Sequence, residues 1–317
     1  MSAPPAEGAR VGWHDVPEPV REAIESVCGS PVKEAVSQRG GFSPGVAVRV
    51  RCGDGGRWFV KATSAAFNSE SPQFHRREAR VLTDLGPLIA AGRVPAPRLR
   101  GTVALGPWFA LVVDDVDGSQ PALPWRDDQL ASVVAAIDRL HEALTPAPVR
   151  VPAVAEYFET DFTGWRTLAS EPENERLDPW SRAHLAELAD LEATWAVHAA
   201  GDTVLHADIR ADNLLLAGGG VTFVDWPHAC RGAAFVDLVL SAPSVAMQGG
   251  PEPAEFLAMS RAGRDASEES RTAIVCALAG FFTAASLRPP PPGLPTLRRF
   301  QAAQGEAARR WLAARLN

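Results

Sequence analysis

The stretch "LHADIRADNLLLAGGGVTFVDW", residues 205–226, sets His206, Asp208, Asp212 and Asn213 close together, then a leucine run, a glycine triplet and Asp225. The leucines and "VTFV" read as two strands joined by a glycine turn. A hairpin of that kind carries Asn213 and Asp225 to the same place. The order H-x-D-x-x-x-x-N, followed across a hairpin by a second acid, matches what phosphoryl transfer from ATP requires. One carboxylate must orient the attacking hydroxyl and accept its proton. An amide oxygen, from Asn213, and a second carboxylate, Asp225, offer hard oxygen ligands to a magnesium ion on the phosphates.

A second signal lies upstream. Of 31 basic residues only Lys33 and Lys61 are lysines, so the lysine inside "RWFVKAT" stands out in an arginine-rich chain. Val46, Val48, Val50 and Cys52 alternate onto one face of a strand, "GDGG" turns, and "RWFVKA" returns, which places Lys61 on the second strand of a hairpin. Residues 74–85, "FHRREARVLTDL", have the spacing of an amphipathic helix with Glu78 on the same stripe as Leu82 and Leu85. A carboxylate facing a core requires a cation, and Lys61 is the candidate.

Around these pieces the chain divides. A Pro/Ala-rich start, residues 1–10, reads as a mobile tail. Residues 1–113 read as an N-terminal nucleotide-binding lobe rich in strands. "DDVDGSQP", 114–121, reads as a connection, and 122–317 as a helical lobe with helical spacing at 129–144, 182–199, 254–262, 268–287 and 298–316. Residues 151–200 hold ten acids against three arginines, read either as a solvated face or as a negative wall drawing in a cationic substrate.

Composition narrows the function classes. A formal net charge of −7 argues against general attraction to nucleic acid or to an anionic membrane. Four scattered cysteines form no metal-binding pair, which fits reduced thiols and a cytoplasmic location. The apolar run at 276–287 is too short for a membrane span and reads as a core helix.

Taken in order, "GGFS", "FVKA" with Lys61, "REARVL" with Glu78, "VPAPRL", "HADIRADNLLL" and "VDWPHACRGAAFVDL" resemble the aminoglycoside phosphotransferase and choline kinase-like family of small-molecule kinases. The resemblance runs from about residue 36 to 241. It implies an α+β, two-lobed protein-kinase-like fold, with a small antiparallel-sheet lobe and a larger helical lobe. It also implies an ATP- and Mg2+-dependent transfer to a hydroxyl of a small molecule, a cationic aminoglycoside-type compound or a related metabolite. Carried over by position, Lys61 holds the α- and β-phosphates, Glu78 holds Lys61, Asp208 is the base, and Asn213 and Asp225 hold the metal. Gly41, Ser43 and Val113 line the nucleotide site, while His206 and Asp237 support the catalytic loop.

Departures from the family pattern carry weight as well. The phosphate turn is Gly40, Gly41, Phe42, Ser43, Pro44 and Gly45 rather than a full glycine motif, and Pro44 lacks a donor. The connection "VVDDVDG" leaves ATP and GTP both open as donors. An inactive nucleotide-binding module of the same fold would lack a base, a metal ligand or the lysine, and none is missing. A hydrolase built on the H-x-D pair would need a closed metal shell that the sequence does not supply. Neutral and amino-alcohol acceptors are compatible with the same core, and oligomeric state is not legible.

Overall fold

The computed structural model describes residues 4–38, 40–171 and 175–316. Five strands form one antiparallel sheet in the order β1-β2-β3-β5-β4, with β1 Val32–Ser37, β2 Val46–Cys52, β3 Arg57–Ser64, β4 Leu99–Leu105 and β5 Trp108–Asp114. The period-two alternation of the strands separates two cores. Val48, Val50, Val60, Ala110 and Val112 pack with Ile24 of helix α1, Glu18–Cys28. Leu111 and Val113 point the other way, towards Val81, Leu82 and Leu85 at helix α2, Ser71–Asp84. Lys61 pairs in register with Leu111 and therefore faces α2.

The rest of the chain is mainly helical. After the short α3, Gly86–Ala90, come α4 Asp127–Ala143, α5 Val154–Tyr157, α6 Gly164–Ser170, α7 Pro179–Ala183, α8 Leu185–Glu192 and α9 Trp195–His198. The last five helices are α10 Phe235–Met247, α11 Pro253–Met259, α12 Arg261–Asp265, α13 Glu268–Ser286 and α14 Leu297–Leu316. Between α9 and α10 lie two small antiparallel ribbons. One pairs β6, Thr203–Leu205, with β9, Cys230–Gly232; the other pairs β7, Leu214–Ala217, with β8, Gly220–Phe223. The β7–β8 turn uses Gly218 and Gly219 at φ 55° and 81°, which explains the glycine run, since two consecutive left-handed residues close a tight hairpin. Among the described residues no helix is long and apolar enough to cross a membrane.

Several sequence expectations need correction. The start of the chain is not a free tail from residue 4 onward. The backbone N–H of Ala9 donates to the Gly293 carbonyl at 2.7 Å, and those of Gly41 and Gly45 donate to Ala6 and Ala9 at 2.9 and 3.0 Å. Residues 1–3 lie outside the described residues. Asp114 ends β5 rather than opening the connection, because its N–H still bonds to the Arg98 carbonyl at 3.0 Å. The helical spacing at 182–199 is divided among α7, α8 and α9. Strand β1 has polar, largely exposed positions, so it offers no alternation to read. Helix α10 is apolar nearly all round, so it offers no amphipathic stripe either.

Helix α6 is seated against α13 by close backbone approach beside the fully buried Trp165, whose indole N–H donates to the Cys276 carbonyl at 2.9 Å. A Cβ at Gly164 would stand 2.1 Å from the Gly280 carbonyl oxygen in α13. Glu192, buried at the end of α8, accepts the first-turn N–H groups of Trp165 and Arg166 at 2.9 and 3.0 Å, satisfying orphan donors at the start of α6. Gly164→Ala has nowhere to put its methyl group except against backbone. We expect it to lower unfolding free energy by about 2–3 kcal/mol, seen as a fall in the urea midpoint with the slope unchanged. An unaltered midpoint would show that the two helices are free to separate.

Candidate active site

The ammonium of Lys61 is held at 2.8 and 2.9 Å by both oxygens of Glu78 and at 2.8 Å by Oδ1 of Asp225. Strand β3, helix α2 and the residues after β8 thus meet on one cation. Burial works against the charge on Lys61, but Asp225 and Glu78 outweigh it and raise its pKa. Burial likewise disfavours the Asp225 carboxylate, yet Lys61 holds it well below the usual carboxylate range. Glu78, the most deeply enclosed, is pushed upward by burial, against the pull of Lys61.

The catalytic loop follows β6. His206 is fully buried. Its Nδ1 accepts the Asp208 N–H at 3.3 Å, so Nε2 carries the ring proton and donates to the Val224 carbonyl at 3.1 Å. Burial lowers its pKa, in keeping with a neutral ring that fixes backbone. Ala207 takes φ 61° and Asp225 φ 69°, left-handed conformations that cost of order 1–3 kcal/mol outside glycine. Asp237, fully buried in the first turn of α10, braces the first of these. Its Oδ1 accepts the Ala207 N–H at 2.7 Å, its Oδ2 accepts the His206 N–H at 3.1 Å, and His141 Nε2 lies 3.0 Å from Oδ2.

Asn213 directs its amide with one end. Nδ2 donates to the backbone carbonyl and to Oδ2 of Asp208 at 2.8 and 2.9 Å, which leaves Oδ1 with no donor among the described residues. Arg210 donates to both oxygens of Asp212 at 3.0 and 2.9 Å and, through Nη1, to Oδ1 of Asp208. Its burial opposes the charge, and the two carboxylates outweigh that and raise its pKa. Among the described residues no group of three or more histidines, cysteines or acids converges as a metal cage.

Two cavities meet over this arrangement, sharing Ser43, Glu78 and Asp225 in their walls. The first, about 420 Å³, is lined by Gly41, Lys61, Val113, Asn213 and the connection after β5. The second, about 820 Å³, is lined by Asp208 and Arg210 and by aromatic side chains from several helices. Asp208 therefore faces one space, while Lys61 and Asn213 face the other.

Sequence reasoning missed several of the residues gathered here. Arg10, from the segment read as a tail, reaches into the first cavity and donates to the carbonyls of Gln38 (3.0 Å), Gly40, Gly41 (3.4 Å) and Ser43, clamping the glycine-rich turn. Nothing in "GARVGW" signals this, because the contact spans the chain. His228, three positions after Asp225, lines the second cavity and joins the hydroxyl of Tyr157 at 2.9 Å through Nδ1. Phe42, at the tip of the turn, lies edge-on against Phe300 with centroids 5.1 Å apart.

For the acidic segment 151–200 the structure favours the first of its two readings. Of its described acids only Asp161 lines the second cavity. Glu192 is buried under α6, Asp178 caps α7 and pairs with Arg309, and Glu156, Glu159, Glu171, Glu175, Glu187 and Asp190 are exposed. Glu173 lies outside the described residues. The surplus is a solvated face, not a wall of the site.

A small antiparallel-sheet lobe and a helical lobe, with Lys61, Glu78, Asp208, Asn213 and Asp225 gathered at their junction, make a kinase-like fold. The model of the phosphotransferase enzyme family matches residues 39–274, and the chain belongs to that family of small-molecule kinases. Among solved structures it is similar to a thermostable mutant of aminoglycoside phosphotransferase APH(4)-Ia in ternary complex with ADP and hygromycin B. That match has a TM-score of 0.63 and 12% identity, covering 93% of this chain and 98% of that one. It is also similar to an aminoglycoside-3'-phosphotransferase of type VIII, with a TM-score of 0.56, 24% identity, and 84% and 100% of the two chains covered. The amicoumacin kinase hAmiN in complex with AMP-PNP, Ca2+ and Ami gives a TM-score of 0.57 at 12% identity over 88% and 89%. No curated protein matches the sequence.

His75, on α2 beside the lysine cluster, gives the site a pH signature. It is buried with Nδ1 unpartnered, and burial together with Lys61 lowers its pKa to about 4. A depressed pKa means stability is fully present above the ordinary histidine value and is lost as pH falls from about 6.5 towards 4. Between pH 6.5 and 4.5 the wild type should lose about 2 kcal/mol more than His75→Gln in urea unfolding. Parallel losses in the two proteins would show that His75 takes up its proton without penalty.

Proposed function

We propose that the protein transfers the γ-phosphoryl group of ATP to a hydroxyl of a small molecule. The observation that carries this is the division of the junction: the Asp208 carboxylate faces the larger cavity, while Lys61, Asn213 and the glycine-rich turn face the smaller one, with Asp225 common to both. The ADP and AMP-PNP held by structurally similar proteins support ATP as the donor.

In this reading the smaller cavity takes the nucleotide against Val113, and Lys61 binds its α- and β-phosphates as a compact point charge, a task for which a planar guanidinium is unsuited. Gly41 and Ser43 contribute from the turn. Asn213 Oδ1 and Asp225 are hard oxygen donors that fit Mg2+, an ion usually bound by one or two protein oxygens, phosphates and water. When bound, it would neutralise charge on the phosphates. The acceptor hydroxyl hydrogen-bonds to Asp208; as its oxygen bonds to the γ-phosphorus, its proton passes to Asp208 and the bond to the β-phosphate oxygen breaks, releasing ADP. Arg210, anchored on Asp212, fixes the direction of the Asp208 carboxylate.

Asp208→Asn should lower turnover by about 10²- to 10⁴-fold while ATP affinity stays within roughly threefold, read by ADP release across an acceptor panel and by nucleotide titration. Full turnover in that variant removes the base from this reading. Arg10→Ala should raise the KM for ATP about tenfold with kcat little changed, because it loosens the turn that receives the phosphates rather than the reacting groups. An equal fall in kcat would instead place Arg10 on the transferring group.

A further inference from the structure

The second cavity is built for a particular kind of acceptor. Seven of the chain's thirteen phenylalanines and its single tyrosine line it, so its walls are aromatic to a degree that composition alone does not produce. Phe158 stacks on Phe162 at 4.8 Å with planes 8° apart, and Tyr157 meets Phe158 edge-on at 4.9 Å. Phe162, Phe282 and Phe300 are themselves buried, so the faces open to a ligand are those of Phe42, Phe74, Phe158, Phe281 and Tyr157, and these favour ring systems through area burial and stacking.

The charges in the cavity are arranged the opposite way from a site for polycations. Of the carboxylates in its wall, Glu78 and Asp225 are taken by Lys61, and Asp208 by Arg210. Only Glu70 and Asp161 remain, both exposed, as Arg77 and Arg288 are. Three cations in the same wall, Arg77, Arg288 and Arg298, form no ion pair with a carboxylate among the described residues, although Arg288 and Arg77 stand near enough to Asp161 to favour its carboxylate. Arg288 and Arg298 flank the proline-rich connector between α13 and α14. Arg298 is pre-aimed: Nε donates to the Pro289 carbonyl at 3.1 Å and Nη1 to Gln301 Oε1 at 2.8 Å, which leaves Nη2 free. Burial and the nearby charge of Arg288 lower the pKa of Arg298, so the two like charges stand close enough to oppose each other. An anion between them removes that repulsion and gains charge-assisted hydrogen bonds.

We infer that the acceptor is a hydroxylated compound with an aromatic or similarly rigid apolar ring body and one acidic group, a carboxylate or phosphate, bound by Arg288 and Arg298. This rests on the phosphotransferase reading for the hydroxyl and for Asp208, but the binding preference is a property of the cavity itself. It separates this chain from structural neighbours that hold an aminoglycoside such as hygromycin B, since a polycation would meet three unpaired arginines and two surface acids.

The test has two arms, both on the full chain. In the first, the nucleotide cleft is filled with a non-hydrolysable ATP analogue, and binding of anilinonaphthalene sulfonate is compared with that of phenylnaphthylamine, its uncharged parent. Replacing both arginines (Arg288→Gln, Arg298→Gln) should weaken the sulfonate at least about tenfold and leave the uncharged dye within about twofold; Phe158→Ala should weaken both. Equal sulfonate binding by wild type and the double variant overturns the inference, whether or not the protein is a kinase. In the second arm, ADP release is measured with hydroxylated aryl carboxylic acids, their methyl esters, their amine analogues and an aminoglycoside. The acids should give the highest kcat/KM, with the advantage over the esters lost in the double variant. Preferred turnover of the aminoglycoside or of the amines overturns the acceptor class while leaving the kinase reading intact. Dye discrimination without ADP release from any acceptor would remove the kinase reading and leave the cavity's preference standing.

Discussion

One ammonium group organises the molecule. Lys61, on β3, is largely enclosed, and its charge is satisfied because α2 and the chain after β8 bring three carboxylate oxygens to within 2.9 Å of it. Taking such charges out of water costs several kcal/mol per ion, and removing one partner of a buried pair typically costs 3–5 kcal/mol because the other is stranded. The sheet lobe and the β7–β8 ribbon are consequently not independent: Glu78 belongs to the first, Asp225 follows the second, and the same cation holds both. With one cation and two carboxylates the cluster keeps a net negative charge, and Asp225 is near enough to Arg10 to favour that guanidinium as well.

The second constraint is backbone strain, and it too is met by charge. Left-handed Ala207 and Asp225 flank the catalytic loop on its two sides. A conformation that costs energy persists only where the surroundings over-determine it. At Ala207 the surroundings are the two carboxylate bonds from Asp237, itself fixed at the start of a fully buried helix and approached by His141. At Asp225 they are Lys61 and the bond from the Val224 N–H to the Asn213 carbonyl at 3.0 Å. Helix α10 is thus apolar around nearly its whole circumference yet carries one carboxylate, shared between two N–H groups of the loop and His141 of α4.

The parts of this structure legible in the sequence are those where chemistry requires a particular residue type at a particular spacing. One of only two lysines in an arginine-rich chain, an acid on the apolar stripe of a helix, and an aspartate and asparagine before a glycine-closed hairpin are all local patterns. Each implies a partner for a stated electrostatic reason, as Glu78 on its stripe implies Lys61. Where the relevant property is distributed along the chain, local reading fails. Arg10 acts on a turn thirty positions away from a segment whose proline and alanine content carries no pattern. The acids of 151–200 form a run in sequence, but helices turn most of them to solvent and spend Glu192 on a helix terminus. Strand β1 and helix α10 fail for opposite reasons, one too polar and the other too uniformly apolar for periodicity to show.

The acceptor cavity is the extreme case of that second kind. Phe42, Phe74, Phe158, Phe281 and Phe300 come from five separate segments, and a phenylalanine on an apolar stripe looks the same in sequence whether it fills a core or faces a ligand. What distinguishes these is their attachment to the reacting groups. Phe42 projects from the glycine-rich turn onto Phe300 of α14, and the Arg210 guanidinium lies over both rings at 5.6 and 5.9 Å. Because Arg210 is also the partner of Asp208, the tip of the glycine-rich turn, the wall of the larger cavity and the arginine that holds Asp208 form one packed unit. The turn cannot move without shifting the packing around the arginine, and nothing can press on Phe300 without touching the same stack. The residue between Gly41 and Ser43 thus ties the turn to the larger cavity, which is a physical reason for a bulky aromatic side chain at a position where flexibility alone would favour a small one.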